Sequence, residues 1–76
     1  MNWHNHIESN PRVMFGKPVI KGTRIPVELI LEKLSLGESM KQLLQAYPDL
    51  EETAVFACLA FAAESVRNEI ILPKAS

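Results

Sequence analysis

The stretch Gly16-Lys17-Pro18-Val19-Ile20-Lys21-Gly22-Thr23-Arg24-Ile25-Pro26-Val27 decides how the rest of the chain is arranged. It places two glycines and two prolines around two short apolar runs, and it carries three cations and no acid. The Lys21-Gly22 pair lies between the apolar runs, where a glycine supplies the positive φ of a tight hairpin turn. We therefore predict a basic strand-turn-strand over residues 12–26, with Lys17–Ile20 and Thr23–Ile25 as its two strands.

The residues before this stretch give weaker signals. Residues 1–11 are polar and end at Pro11, which predicts a loosely ordered lead-in with a short strand near Ile7. The next three residues, Val13-Met14-Phe15, are apolar, so we expect them to lie against the core. Two β-strands this short are not stable alone, and they must pack on the helices that follow.

Three helices are predicted over residues 26–68. The first runs from Pro26, at the first helical position, to Leu36, and Gly37 ends it at the C′ position. The second, Met40–Ala46, begins with a capping box in which Ser39 and Gln42 satisfy each other's backbone N–H groups. The residues expected on the buried faces of these two helices are Val27, Ile30, Leu31, Leu34, Met40, Leu43, Leu44 and Tyr47.

The third helix is predicted over Glu51–Asn68, with Asp49 or a neighbouring acid as its cap. Residues 54–63 are apolar on every face of this helix, and a helix that is apolar all round is normally buried all round. Two short helices cannot enclose it. We therefore expect the same helix of a second subunit to cover the remaining face, through Phe56, Leu59, Ala60, Phe61 and Ala63.

Composition and length also favour a dimer. The chain of 76 residues is 47% hydrophobic, which indicates one domain over residues 1–76 whose small core gains from dimerisation. Its single cysteine, Cys58, cannot form an internal disulfide, and the N-terminus does not resemble a signal peptide. The longest apolar run has ten residues, too few to span a bilayer. These features indicate a soluble cytoplasmic protein without a membrane partner.

The net charge of −1 conceals an uneven distribution. Residues 10–27 contain four cations and no acid, whereas residues 28–76 contain four cations and eight acids. The stretch that forms the predicted hairpin is therefore the positive pole of the chain, and this bears on its partners.

Four blocks carry a resemblance to a known family: residues 16–25, Gly37-Glu38-Ser39, Tyr47-Pro48-Asp49-Leu50 and the alanine-rich third helix. Together they resemble domain-of-unknown-function family 433, small bacterial proteins with a homeodomain-like or winged-helix-like fold. The resemblance implies an antitoxin-like regulator with a PIN-type nuclease toxin as partner and with DNA binding. It implies no catalytic residues. The resulting fold class is mostly α, a short N-terminal β-hairpin followed by a three-helix, helix-turn-helix-like bundle.

The basic stretch has two interpretations. In one, its side chains neutralise phosphates of double-stranded DNA, as a two-stranded ribbon or wing can do. In the other, the cations pair with acids of the helices and Thr23 serves only the turn. The candidate DNA-binding residues are Arg12, Lys17, Lys21, Thr23 and Arg24.

The acids at the start of the third helix would repel phosphates, which argues against its use as a recognition helix.

The C-terminal tail, residues 69–76, is apolar and also has two interpretations. It docks on a partner protein, or it folds back on its own chain or across the dimer. The candidate partner-binding residues are Ile70, Ile71, Leu72 and Pro73.

No pattern in the sequence indicates catalysis, a metal or another cofactor. His4 and His6 lie on a polar start without further ligands at metal-binding spacing, and Cys58 lies among apolar residues as a small buried side chain would. We therefore expect no enzyme activity. Two functions remain: a dimeric antitoxin-type regulator with DNA binding through the hairpin, and a protein-interaction module without DNA binding.

Overall fold

The computed structural model describes residues 1–69 of the chain. Strands β1 (Ile7–Glu8) and β2 (Val19–Ile20) form a two-stranded antiparallel sheet, in which Ile7 lies opposite Ile20. Three helices follow: α1 (Val27–Ser35), α2 (Met40–Ala46) and α3 (Glu52–Glu69). The predicted fold class, mostly α with an N-terminal hairpin before three helices, is confirmed.

The partner of β2 differs from the prediction. The strand expected near Ile7 is present and pairs with one edge of β2. The predicted return strand over Thr23–Ile25 is not a strand, although an isolated antiparallel bridge joins Val19 to Pro26 at the other edge. The segment after the turn still runs beside β2, because Ile20 N–H donates to the Ile25 carbonyl at 3.0 Å. It forms no strand because the Thr23 hydroxyl accepts the Ile25 N–H at 3.0 Å, so that a side chain uses the group a ladder would need.

Helix α1 is bounded by Pro26 at its start and by Gly37 after its end. Pro26, predicted at the first helical position, is instead the N-cap, with an extended ψ of 142°. At the other end Gly37 occupies the predicted C′ position with φ of 92°. Its N–H donates to the Leu34 carbonyl and the Glu38 N–H donates to the Lys33 carbonyl, which together make a Schellman motif.

Helix α2 matches its prediction at both ends. The Ser39 hydroxyl accepts the Gln42 N–H at 3.1 Å, and the Gln42 side chain accepts the Ser39 N–H at 2.8 Å. This reciprocal pair is the capping box expected from the sequence. A turn at Pro48-Asp49 then leads to α3, which begins at Glu52 rather than at Glu51.

The core lies between the sheet and the inner faces of the three helices. Leu43 of α2 and Ile30 of α1 are completely buried against the inner face of α3. None of the helices within residues 1–69 is long and apolar enough to cross a membrane. The buried residues that form this core are Ile7, Ile20, Val27, Ile30, Leu43, Leu50, Ala54, Val55, Ala57 and Cys58.

Candidate functional site

One face of α3 is apolar and open to solvent. All-round burial of residues 54–63 is predicted only with a second subunit, and within one chain only the inner face of the helix meets the sheet, α1 and α2. On the outer face Phe56 is 47% exposed, Leu59 is 44% exposed and Val66 is 54% exposed. Ala63 is exposed and Ala60 is half-buried beside them. We call these five residues the α3 stripe.

The α3 stripe is continuous because its members follow the helical repeat. Positions three and four apart lie next to each other on a helix surface, so residues 56, 59, 60, 63 and 66 make one band along the axis. Exposed Glu52 begins this band and exposed Arg67 ends it. Within residues 1–69 neither of these two side chains forms an ion pair. An exposed apolar band with charged ends is typical of a protein-binding surface.

Phe61 does not belong to the α3 stripe, although the sequence placed it in the dimer interface. Its ring meets the indole of Trp3 edge to face, with the centroids 4.9 Å apart. The indole Nε1–H of Trp3 also donates a hydrogen bond of 2.7 Å to Oε2 of Glu64. The N-terminal segment, predicted to be loosely ordered, is thereby anchored on α3, and a substitution of Phe61 would disturb this packing.

Two of the five candidate DNA-binding residues are engaged within the chain. Lys17 forms an ion pair of 2.8 Å with Glu28 of α1, at a position where both side chains are largely exposed. The Thr23 hydroxyl donates to the Ile20 carbonyl at 2.7 Å, in addition to accepting the Ile25 N–H. Both residues therefore have the roles of the second interpretation, in which the cations pair with acids of the helices and Thr23 serves the turn.

The other three cations, Arg12, Lys21 and Arg24, are exposed and form no ion pair within residues 1–69. Lys21 lines an open cleft of about 210 Å³ together with Asp49 and Glu51. The two carboxylates lower the positive potential around Lys21, which weakens it as a phosphate contact. The uncompensated part of the basic stretch is therefore reduced to its two arginines.

The turn before β2 holds an exposed aromatic residue. The sequence predicted that Phe15 lies against the core, but its side chain is 98% exposed. Met14, Phe15 and Gly16 all have positive φ, at 51°, 57° and 83°. A left-handed conformation costs a residue other than glycine about 1–2 kcal/mol, so the turn holds Phe15 outward against a local preference. A separate open apolar pocket of about 210 Å³ is lined by Lys17, Pro18, Val27, Glu28, Leu31 and Phe61.

The described residues include possible metal ligands and one buried cysteine. Within residues 1–69 no group of three His, Cys, Asp or Glu side chains is placed to hold a metal ion. Cys58 is completely buried, and this burial raises the pKa of its thiol from 9.0 to about 11. A thiol with such a pKa is protonated near neutral pH and is a poor nucleophile. The candidate tail residues Ile70, Ile71, Leu72 and Pro73 lie outside the described residues.

Similarity to known proteins was found at the level of both sequence and structure. A family model described as "Protein of unknown function (DUF433)" matches residues 7–62. The uncharacterized protein y4eO of Sinorhizobium fredii (strain NBRC 101917 / NGR234) is 36% identical over 45 residues, which cover 59% of this chain and 20% of that protein. The chain thus spans only a fifth of the length of this curated relative.

A solved structure shares the fold. The crystal structure of a DUF433 member from Anabaena variabilis ATCC 29413 matches with a TM-score of 0.78 at 30% sequence identity. The match covers 83% of this chain and 62% of that chain. Because the family model covers most of the chain and a solved member has the same fold, the chain belongs to DUF433, a family of proteins of unknown function.

Proposed function

We propose that this protein is a small protein-interaction module that forms a homodimer through the α3 stripe. The observation that carries the proposal is the exposure of Phe56, Leu59 and Val66 along one band of α3. Each of these side chains is about half exposed, and burying that half stabilises a complex by about 1 kcal/mol per side chain. The alanines between them allow close approach of a partner helix.

The absence of a broad basic surface among the described residues supports this choice over DNA binding as the leading function. Lys17 is paired with Glu28, and Lys21 shares its cleft with Asp49 and Glu51. Specific DNA-binding proteins usually neutralise more phosphates than two arginines can reach.

The experiment is a molar mass measured by light scattering over a range of protein concentrations. We expect a dimer for the native chain and a monomer for Leu59→Glu, because the new carboxylate would have to be buried without a partner. Leu36→Glu is the matched control, since Leu36 is exposed at the end of α1 and lies off the α3 stripe. A dimeric Leu59→Glu variant, or a monomeric native chain throughout, would refute the proposal.

A second candidate function follows from the family resemblance: an antitoxin-type regulator that binds double-stranded DNA and a PIN-type nuclease. The observation in its favour is that Arg12, Lys21 and Arg24 are exposed and form no ion pair within residues 1–69. A gene for a PIN-type nuclease beside the gene of this protein would support the nuclease partner. A different neighbouring gene would favour the interaction module without a nuclease partner.

The DNA part of this second candidate has its own test. Two contacts from the arginines, with a weaker third from Lys21, give a plot of log affinity against log salt a slope between about −2 and −3. Replacing Arg12, Lys21 and Arg24 together by alanine should flatten this slope for duplex DNA from the protein's own promoter. Lys41→Ala is the control, because Lys41 is an exposed cation on α2. An unchanged slope in the triple variant would remove the basic stretch from DNA binding.

A further inference from the structure

We propose that the partner of the α3 stripe is α3 of a second copy, packed antiparallel and in one register. In this register Phe56 lies opposite Ala63 and Leu59 lies opposite Ala60, while Glu52 lies opposite Arg67. The inference rests on the proposed function, because it presumes that the stripe mediates dimerisation. It adds which element of the second copy the stripe contacts, the direction of that helix and the residues that meet.

The register follows from where the stripe is symmetric. A two-fold axis perpendicular to α3, midway between Leu59 and Ala60, exchanges each residue for another that is equally far from the axis. Because an isologous interface brings a surface against itself, it is favourable only if these exchanged positions are complementary. The remaining argument is therefore whether large positions meet small ones and acids meet bases.

The apolar positions are complementary in size. The axis sets the 47% exposed ring of Phe56 against exposed Ala63, and the 44% exposed Leu59 against half-buried Ala60. Each large side chain thereby meets a methyl group, and the two helices can approach closely without overlap of two large residues. Val66, the last large member of the stripe, falls opposite the exposed side chain of Thr53.

The charged positions decide the direction. In the antiparallel arrangement Glu52 of each copy meets Arg67 of the other, and both are exposed and form no ion pair within residues 1–69. A parallel arrangement would instead bring Glu52 against Glu52 and Arg67 against Arg67. Like charges brought together in an interface disfavour that complex. Both the charges and the side-chain sizes therefore favour the antiparallel pair.

Cysteine cross-linking tests the direction of the helices. In the antiparallel pair only positions next to the axis meet their own copy, so Ala60→Cys should form a disulfide-linked dimer on mild oxidation. Ala63→Cys should not, because seven residues along a helix separate the two copies of position 63 by about 10 Å. A parallel pair would link both variants, so a linked Ala63→Cys dimer would overturn the inference. Buried Cys58 stays in place in all variants.

The predicted contact between Phe56 of one copy and Ala63 of the other gives a second readout. An equimolar mixture of Phe56→Cys and Ala63→Cys chains should form mixed disulfides, whereas neither variant should link to itself. Ala46→Cys, an exposed position at the end of α2, is the control for random oxidation of a surface thiol. Mixed disulfides no more abundant than those formed with Ala46→Cys would overturn the register.

Charge reversal tests the ends of the interface. Arg67→Glu brings two acidic pairs together, and we expect the dimer dissociation constant to rise by about tenfold. The double variant Glu52→Arg with Arg67→Glu restores opposite charges and should recover most of the loss. If Arg67→Glu alone leaves the dimer dissociation constant unchanged, the register is contradicted. The proposed function then remains intact provided that Leu59→Glu is monomeric. A dimeric Leu59→Glu would contradict both.

Discussion

The indole Nε1–H of Trp3 donates a hydrogen bond of 2.7 Å to Oε2 of Glu64, between residues 61 positions apart in the chain. The same indole packs edge to face on Phe61, and its other neighbour, His4, stacks on it at 3.7 Å. These contacts fasten the N-terminus to the middle of α3. They also occupy one side of that helix, which leaves the α3 stripe as its open side.

The Trp3–Glu64 bond should contribute measurably to stability. Glu64→Ala removes a charged acceptor from a partly buried indole N–H, and we expect a loss of about 1–2 kcal/mol in the free energy of unfolding. In a domain of this size this corresponds to a fall of roughly 5–10 °C in Tm. Trp3, the one tryptophan of the chain, reports the transition by fluorescence. Glu64→Gln keeps an acceptor and should lose less; equal stability of the alanine variant and the native chain would contradict this assignment.

The capping box of α2 predicts a second stability change. Ser39→Ala removes the hydroxyl that accepts the Gln42 N–H, and we expect a loss of about 1 kcal/mol. Ser35→Ala is the control, because Ser35 is exposed within the last turn of α1 and caps no N-terminus. Urea titrations followed by circular dichroism give both values. A loss for Ser35→Ala as large as that for Ser39→Ala would argue against the cap as the cause.

Phe15 and Phe61 should respond in opposite directions to substitution. Phe15 is 98% exposed with φ of 57°, so Phe15→Asn loses no burial and introduces a residue that tolerates this conformation. We expect the free energy of unfolding to rise by about 0.5–1 kcal/mol. Phe61→Ala, which removes packing against Trp3, should lower it by about 2 kcal/mol. A destabilised Phe15→Asn variant would show that the ring makes stabilising contacts in the native chain.

The thiol of Cys58 should be unreactive in the folded protein. Its pKa of about 11 lies above the ordinary value of 9.0, so the thiolate fraction at pH 8 falls by about 100-fold and the side chain is also buried. A colorimetric disulfide reagent should therefore react at the rate of local opening, and urea should restore fast reaction. Fast labelling of the native chain would contradict the burial of Cys58.

The same shift predicts how stability depends on pH. The unfolded chain loses the thiol proton near pH 9, whereas the folded chain retains it until about pH 11. The contribution of the protonated Cys58 thiol to the free energy of unfolding is therefore present in full below pH 9, and it is lost as the pH rises from 9 to 11. The difference in unfolding free energy between the native chain and Cys58→Ala isolates this effect from other groups that titrate there. A difference that does not change over this range would contradict the shift.

Local signals in the sequence predicted the helices well. The capping box at Ser39 and the glycine at position 37 act within a few residues, and both have the predicted roles. The predicted return strand over Thr23–Ile25 is not a strand, because the Thr23 hydroxyl accepts the Ile25 N–H that a second strand would use for its hydrogen bonds to β2. Side-chain use of this kind depends on the turn geometry, which the pattern of apolar residues does not encode.

The candidate site was predicted only in part. Four of the five predicted interface residues lie on the α3 stripe, but Phe61 lies on the other side of the helix. In a segment that is apolar throughout, periodicity does not indicate which face of the helix is buried. The packing of α1, α2, β1 and the N-terminal segment against α3 leaves the α3 stripe open. The exposure of Phe15 had no sequence signal of its own, although Gly16 after it indicated a turn.

The central claim, that the α3 stripe binds its own copy, is tested most directly by nuclear Overhauser effects between subunits. A sample that mixes isotope-labelled and unlabelled chains gives signals only between protons of different copies. The account predicts cross-peaks from the Phe56 ring of one copy to the Ala63 methyl group of the other. Cross-peaks that involve the Phe15 ring instead, or none at a concentration where light scattering measures a dimer, would contradict it.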